Sequence, residues 1–221
     1  MSLFICIEGI DGSGKSTQAK LLHEYFLSIG KNSKLACFPT HEGLGKTIRE
    51  RLPNTFESEF QLKETENTFM ALLNITNMFQ EFFKKDGYAE HLCEEDSVLI
   101  CDRYFLSTLA YNIPIGDYTK EHSIIKLINE KLLFPDIILY LGIHPDEAFK
   151  RIKERGTTVD KFETEEHLTL LSDKYQELIE AISDKELITS KRYDTFITEL
   201  TGKESSLELH EDIKILIGGF K

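Results

Sequence analysis

No run of 18 apolar residues occurs anywhere in the 221-residue chain, so the sequence offers no membrane-spanning helix. Cysteine is sparse. Cys6, Cys37, Cys93 and Cys101 are scattered, without the spacing of a zinc site or a disulfide framework. Cys6 and Cys101 fall in apolar, strand-like runs, where buried thiols are common. Five prolines and thirteen glycines are too few to signal disorder. Positive charge is also in deficit: 26 Lys and Arg against 38 Asp and Glu give a net charge of −12. A nucleic-acid partner would call for a basic face, so the balance argues against one. It leaves room for a small phosphorylated ligand held by a few local cations. The start, Met1-Ser2-Leu3-Phe4, lacks the basic region and cleavage pattern of a secretory signal, and the expected location is a reducing cytoplasm. What remains, 41% hydrophobic and 29% charged residues, is the make-up of a soluble globular chain, expected as one domain over residues 1–221.

Apolar runs and helical periodicity alternate along the chain. Leu3 to Ile7 reads as a strand buried on both faces. A helix follows from about Lys15 to Ser28, with Ala19, Leu22, Phe26 and Ile29 on one stripe and Gly30 as its stop. Further strands are expected at Lys34–Phe38, Val98–Cys101, Ile137–Leu141 and Tyr193–Ile197. Helices are expected at Gly45–Leu52, Leu62–Lys85, Asp146–Arg155, 163–183 and Leu207–Ile217. Strands separated by helices imply right-handed crossovers and an α/β fold: about five parallel strands with helices on both faces. Ligands in such sheets bind beyond the carboxyl ends of the strands.

The chemistry is concentrated just after the first strand. Gly9-Ile10-Asp11-Gly12-Ser13-Gly14-Lys15-Ser16 matches the phosphate-binding loop pattern, between a buried-type strand and a helix as the motif requires. Its glycines let backbone N–H groups turn toward phosphate oxygens. Lys15 reaches the β- and γ-phosphates, Ser16 ligates Mg²⁺, and the helix adds its positive end. Asp11 is out of place beside phosphates. It either faces a substrate hydroxyl or simply favours the turn.

A second element closes the third expected strand: Asp102-Arg103-Tyr104. Asp102 can support Mg²⁺ beside the loop, and Arg103 can grip a phosphate with two donors. If residues 103–112 are helical, Arg103, Ser107 and Tyr111 share one face. The other reading is a structural Asp–Arg pair beside a core tyrosine. A basic segment, Arg151, Lys153, Arg155, Gly156-Thr157-Thr158 and Lys161, reads either as a lid near 151–162 or as a solvated helix face paired with Glu147 and Glu154. On spacing alone the solvated face is the stronger reading.

With these motifs in place, the chain resembles the thymidylate kinase family of P-loop nucleoside monophosphate kinases. The resemblance rests on Glu8 to Thr17, on the Asp102-Arg103-Tyr104 run through Ser107, Ala110 and Tyr111, on Gly45 with Ile48-Arg49-Glu50, on Pro135-Asp136, and on Pro145-Asp146-Glu147-Ala148 with Arg151. It implies the three-layer P-loop kinase sandwich, Mg²⁺, ATP bound by Gly9 to Thr17, and a homodimer. The exposed face of such a dimer would involve Phe69, Met70, Phe79 and Phe83, residues for which a place in the core is the stronger reading. It further implies that Asp11 meets the acceptor's 3′-hydroxyl side and that Arg103 binds its phosphate. Tyr111 then packs below the deoxyribose, and Arg151 and Arg155, with Lys161, form the lid. Phe38, Pro39, Ser107 and Thr108 would complete the acceptor site. Leu73 and Asn77 would stand where the family usually has a base-stacking aromatic and an arginine. Gly12-Ser13 replaces an arginine that some members carry in the loop, which implies that lid arginines supply the transition-state charge. The expected reaction is ATP + dTMP → ADP + dTDP. Alternatives are a different (deoxy)nucleoside monophosphate as acceptor, or a non-catalytic nucleotide-binding member. A GTPase-type switch would carry an Asn-Lys-x-Asp motif, and none occurs.

Overall fold

The computed structural model describes residues 2–51, 60–119, 122–156, 163–184, 187, 196–201 and 205–219. Five strands form one parallel sheet: β1 (Leu3–Glu8), β2 (Asn32–Cys37), β3 (Ser97–Asp102), β4 (Ile137–Gly142) and β5 (Phe196–Thr201), in the spatial order β2-β3-β1-β4-β5. Around it run α1 (Lys15–Ser28), α2 (Gly43–Arg51), α3 (Phe60–Phe83), α4 (Tyr88–His91), α5 (Phe105–Asn112), α6 (Ser123–Lys131), α7 (Pro145–Glu154), α8 (Glu165–Ser183) and α9 (Ser206–Gly218).

The apolar runs read as doubly buried strands do separate two cores. From β1, Phe4 and Cys6 enter the core shared with α3, α5, α6 and α8, while Ile5 and Ile7 enter the core shared with α1 and α9. Leu99 and Cys101 against Val98 and Ile100 divide β3 in the same way. The result is the three-layer arrangement expected from the alternation of strands and helices. The Pro135-Asp136 break has a specific use: the Phe4 N–H donates to Asp136 Oδ2 (2.7 Å) and the Asp136 N–H to the Phe4 carbonyl (2.8 Å), which sets the start of β4 against β1.

The helix over Lys15–Ser28 is as expected, and Gly30 (φ 80°) follows its C-cap Ile29 in the left-handed region. Three differences matter. α5 begins at Phe105, so Arg103 is not part of it; Arg103 takes a left-handed φ of 69° and donates its N–H to the Ile7 carbonyl (3.0 Å), extending the β1–β3 ladder. β5 starts at Phe196; Tyr193, where the sequence places its start, lies outside the described residues. Finally, α4 and α6 were not expected. The signal for α6 is the buried set Ile124, Ile125 and Ile128 behind His122, whose Nδ1 accepts from the Ile124 N–H (3.3 Å). Among the described residues, no helix is long and apolar enough to cross a membrane.

Candidate active site

The carboxyl ends of β1, β2 and β3 open into a cavity of about 1800 Å³. This exceeds the roughly 300–1,000 Å³ of a single small-molecule site and suits two ligands end to end. Its wall holds Asp11 to Gln18 from the loop and start of α1, Phe38 and Pro39 after β2, Asp102 and Arg103 after β3, and Arg151 and Arg155 at the end of α7. Ser205, Ser206 and Leu209 at the start of α9 line the loop side.

The loop is set for an anion. Gly14 caps α1 in the left-handed region (φ 94°) and no side chain caps the helix, which leaves its first N–H groups for a ligand. Lys15 folds back into the loop, where its Nζ donates to the Ile10 carbonyl (2.6 Å). Burial, with repulsion from Arg103 second, pulls the ammonium down to about 8. Gly12 answers the question of the missing loop arginine. Its φ is 80°, and a Cβ would stand 2.5 Å from the Ala148 carbonyl oxygen of α7, so the close approach of loop and α7 admits no side chain.

Beside the loop, Ser16 Oγ donates to Asp102 Oδ2 at 2.5 Å, while the buried Asp102 Oδ1 has no hydrogen-bond partner. A hydroxyl and a carboxylate oriented together, with an unsatisfied oxygen, fit a hard divalent cation that completes its shell from phosphate oxygens and water. Among the described residues, no group of three or more His, Cys, Asp or Glu is placed to hold a metal without that help.

Arg103 is the hub of a second cluster on the cavity wall. Nη2 pairs with Asp11 Oδ1, Nη1 donates to Ser107 Oγ (3.1 Å) and to the Gly9 carbonyl (3.4 Å), and the guanidinium lies 5.3 Å from the centre of the Tyr111 ring. Tyr111 donates its hydroxyl to Asp11 Oδ2 (2.7 Å). Burial would raise the Asp11 carboxyl, but Arg103, Lys15 and the Tyr111 hydroxyl outweigh it and hold the group well below the usual carboxylate range. Burial, reinforced by Asp11, raises Tyr111, which keeps its proton. The helix expected to bring Arg103, Ser107 and Tyr111 together is thus absent at Arg103, yet the three meet: the left-handed turn delivers the guanidinium to α5 from outside. The Asp102–Arg103 pairing does not form; Asp11 is the partner.

The far end of the cavity differs from expectation. Leu73 and Asn77 do not line it. Asn77 is fully buried, accepting the Thr40 N–H (3.0 Å) and donating to Thr40 Oγ1 (3.0 Å), so it anchors the chain after β2. The wall from α3 is Glu66, Asn67, Thr68, Met70, Ala71, Asn74 and Met78; Met70 and Asn74, each three residues before an expected position, are among them. Met70 is therefore inside, not on the exposed face of α3. Thr108 and Asn112 of α5 face this end as well. Arg49, whose Nε donates to the Pro39 carbonyl (2.8 Å), adds a further guanidinium that was not expected in the site. Gly45 makes this possible, because a Cβ there would overlap the Thr40 backbone at 2.3 Å.

Both lid candidates reach the wall. Arg151 Nε donates to Glu147 Oε1 (3.1 Å) and Arg155 Nη2 to Glu163 Oε1 (2.6 Å). Thr157, Thr158 and Lys161 lie outside the described residues.

A family model described as thymidylate kinase matches residues 7–196. A probable thymidylate kinase of Methanocaldococcus jannaschii is 34% identical over 216 residues, spanning 96% of this chain and 94% of its own. The thymidylate kinase of Leptospira interrogans is 30% identical over 208 residues, 91% and 97% of the two chains. Among solved structures, thymidylate kinase from Candida albicans superposes with a TM-score of 0.72 at 22% identity, covering 99% of this chain and 92% of that one. That from Ehrlichia chaffeensis gives 0.64 at 24%, covering 97% and 98%. At such identities the superpositions establish the fold.

Proposed function

The chain belongs to the thymidylate kinase family, and on that premise we propose that it transfers the γ-phosphoryl group of ATP to dTMP, giving ADP and dTDP. The observation that carries this reading is one cavity holding a complete phosphate loop, the Ser16–Asp102 pair and the Arg103–Asp11–Tyr111 cluster side by side.

The loop N–H groups hold the donor's β-phosphate, and Lys15 swings from the Ile10 carbonyl to the β- and γ-phosphate oxygens. Ser16 and Asp102 would hold Mg²⁺, which when bound would neutralise charge on those oxygens. Arg103 binds the acceptor phosphate, whose oxygen attacks the γ-phosphorus in line and needs no strong base. Asp11, kept ionised by Arg103 and Lys15, accepts from the 3′-hydroxyl, and Tyr111 beneath the sugar disfavours a 2′-hydroxyl. With Gly12 closed to any side chain, Arg151 and Arg155 bring the transition-state charge from a lid near 151–162. Residues 1–221 act as one kinase domain in the cytoplasm. The exposed Leu72, Phe79 and Phe83 on one face of α3 support a homodimer; sedimentation at the mass of a single chain would contradict it. Phosphorus NMR of the protein with Mg·ATP and dTMP is expected to show ADP and dTDP appearing together; dTMP left unchanged by folded protein would refute the reaction.

A further inference from the structure

One buried charge stands outside the cavity wall and still touches the site. Glu8, the last residue of β1, is fully buried. Isolated in the interior, an ionised carboxylate costs several kcal/mol unless donors surround it. Here they do. Oε1 accepts the N–H groups of Tyr104 (2.8 Å) and Ser107 (3.3 Å), two donors at the start of α5 that have no partner within the helix. Oε2 accepts the hydroxyls of Ser107 (2.6 Å) and of Tyr175 on α8 (3.1 Å). Ser107 and Tyr175 also meet at 2.8 Å; with the Ser107 proton on Glu8, the Tyr175 proton is shared between Ser107 Oγ and Glu8 Oε2. Burial, then the charge of Glu8, raises the Tyr175 hydroxyl, so it remains a donor.

We propose that Glu8 is a positioning residue for the arginine that binds the acceptor phosphate, acting through Ser107 and Tyr175. The role rests on the reading of Arg103 given above. Ser107 has one proton. With that proton given to Glu8, its oxygen can only accept, and it faces Arg103 Nη1 at 3.1 Å. A negative acceptor behind the hydroxyl makes it the stronger acceptor for the guanidinium. The same carboxylate pins the N–H groups on either side of the α5 start, directly after the left-handed φ of Arg103, a conformation uncommon outside glycine. Tyr175 extends the cluster to α8, the helix that follows Glu163, the partner of Arg155. β1, α5 and α8 thus share a single buried polar junction behind the acceptor site.

The test is dTMP binding by calorimetry, together with steady-state Michaelis constants for both substrates, on wild type, E8Q and Y175F. Hydrogen bonds to a charged group set the scale. E8Q is expected to weaken dTMP binding by about 10- to 100-fold and Y175F by about 3- to 10-fold. The KM for ATP should stay within about twofold in both. Purely structural roles would lower the melting temperature and leave the dTMP constants unchanged; that result in Y175F overturns the proposal even if E8Q fails to fold. A rise in both KM values together overturns it as well. Wild type that does not bind dTMP at all refutes the functional reading itself, a result distinct from variants that bind as wild type does.

Discussion

At the loop end of the cavity, Lys15 and Ser16 open α1 after the loop that follows β1, and Asp102 and Arg103 stand at the end of β3, the strand beside it; Ser16 bonds Asp102, Lys15 the Ile10 carbonyl and Arg103 the Gly9 carbonyl. At the far end, Met70, Asn74, Thr108 and Asn112 come from within the helices α3 and α5, and both amides donate to carbonyls of their own helix: Asn74 to Met70 (2.9 Å) and Asn112 to Thr108 (2.8 Å). The first end is preorganised for charge; the second is shaped mainly by helix packing. Recognition of phosphate is therefore expected to be strong and intolerant of substitution, and recognition of the base weaker and more tolerant.

The largest effect should come from Lys15→Ala, with kcat down by about 10³-fold and little change in dTMP binding. Stopped-flow or coupled assays would show it, and near-normal turnover would remove the loop from the account. Next is Arg103→Ala. Loss of a guanidinium that also holds Asp11 should lower kcat/KM for dTMP by about 100-fold while leaving the KM of ATP within about twofold. An equal loss on both substrates would erase the division between donor and acceptor sides.

The pH dependence sharpens the same comparison. Lys15 is pulled down to about 8 in the free protein, and bound phosphates favour its charged form. Below pH 8 the ammonium is already present, so kcat/KM for ATP is flat. Above pH 8 the free protein loses that proton, and kcat/KM for ATP should fall about tenfold per pH unit. A profile flat to pH 10 would contradict the burial assigned to Lys15. The smallest effects belong to the far end. Asn74→Ala and Asn112→Ala should each change the KM for dTMP by about three- to tenfold, with kcat nearly unchanged. A loss as large as that of Arg103→Ala would mean that the two ends do not differ as described.

The same contrast explains what could be read from the sequence. Phosphate binding needs particular residue types in one contiguous run, so Gly9 to Ser16 announced itself, and the apolar runs of β1, β3 and β4 gave the doubly covered sheet. Base-site positions depend on helix register. The resemblance pointed to Leu73 and Asn77, three residues past the Met70 and Asn74 that face the cavity, and Asn77 proved to hold Thr40 instead. The place of Arg103 at the end of β3 was legible, but its contact with Ser107 and Tyr111, which a helix over 103–112 would also give, comes from a left-handed turn that the sequence does not signal. Glu8 carried a signal of its own. A charged residue closing a run that must be buried on both faces has to find donors, and α5 supplies them.

The most direct test of the whole account is a coupled ADP-release assay of the wild-type protein with Mg·ATP across dTMP, dUMP, UMP, dCMP, dGMP and AMP. Turnover is expected with dTMP as the best acceptor, and UMP, with its 2′-hydroxyl over Tyr111, far behind dUMP. No turnover of any acceptor by well-folded protein, or a clear preference for one other than dTMP, would contradict it.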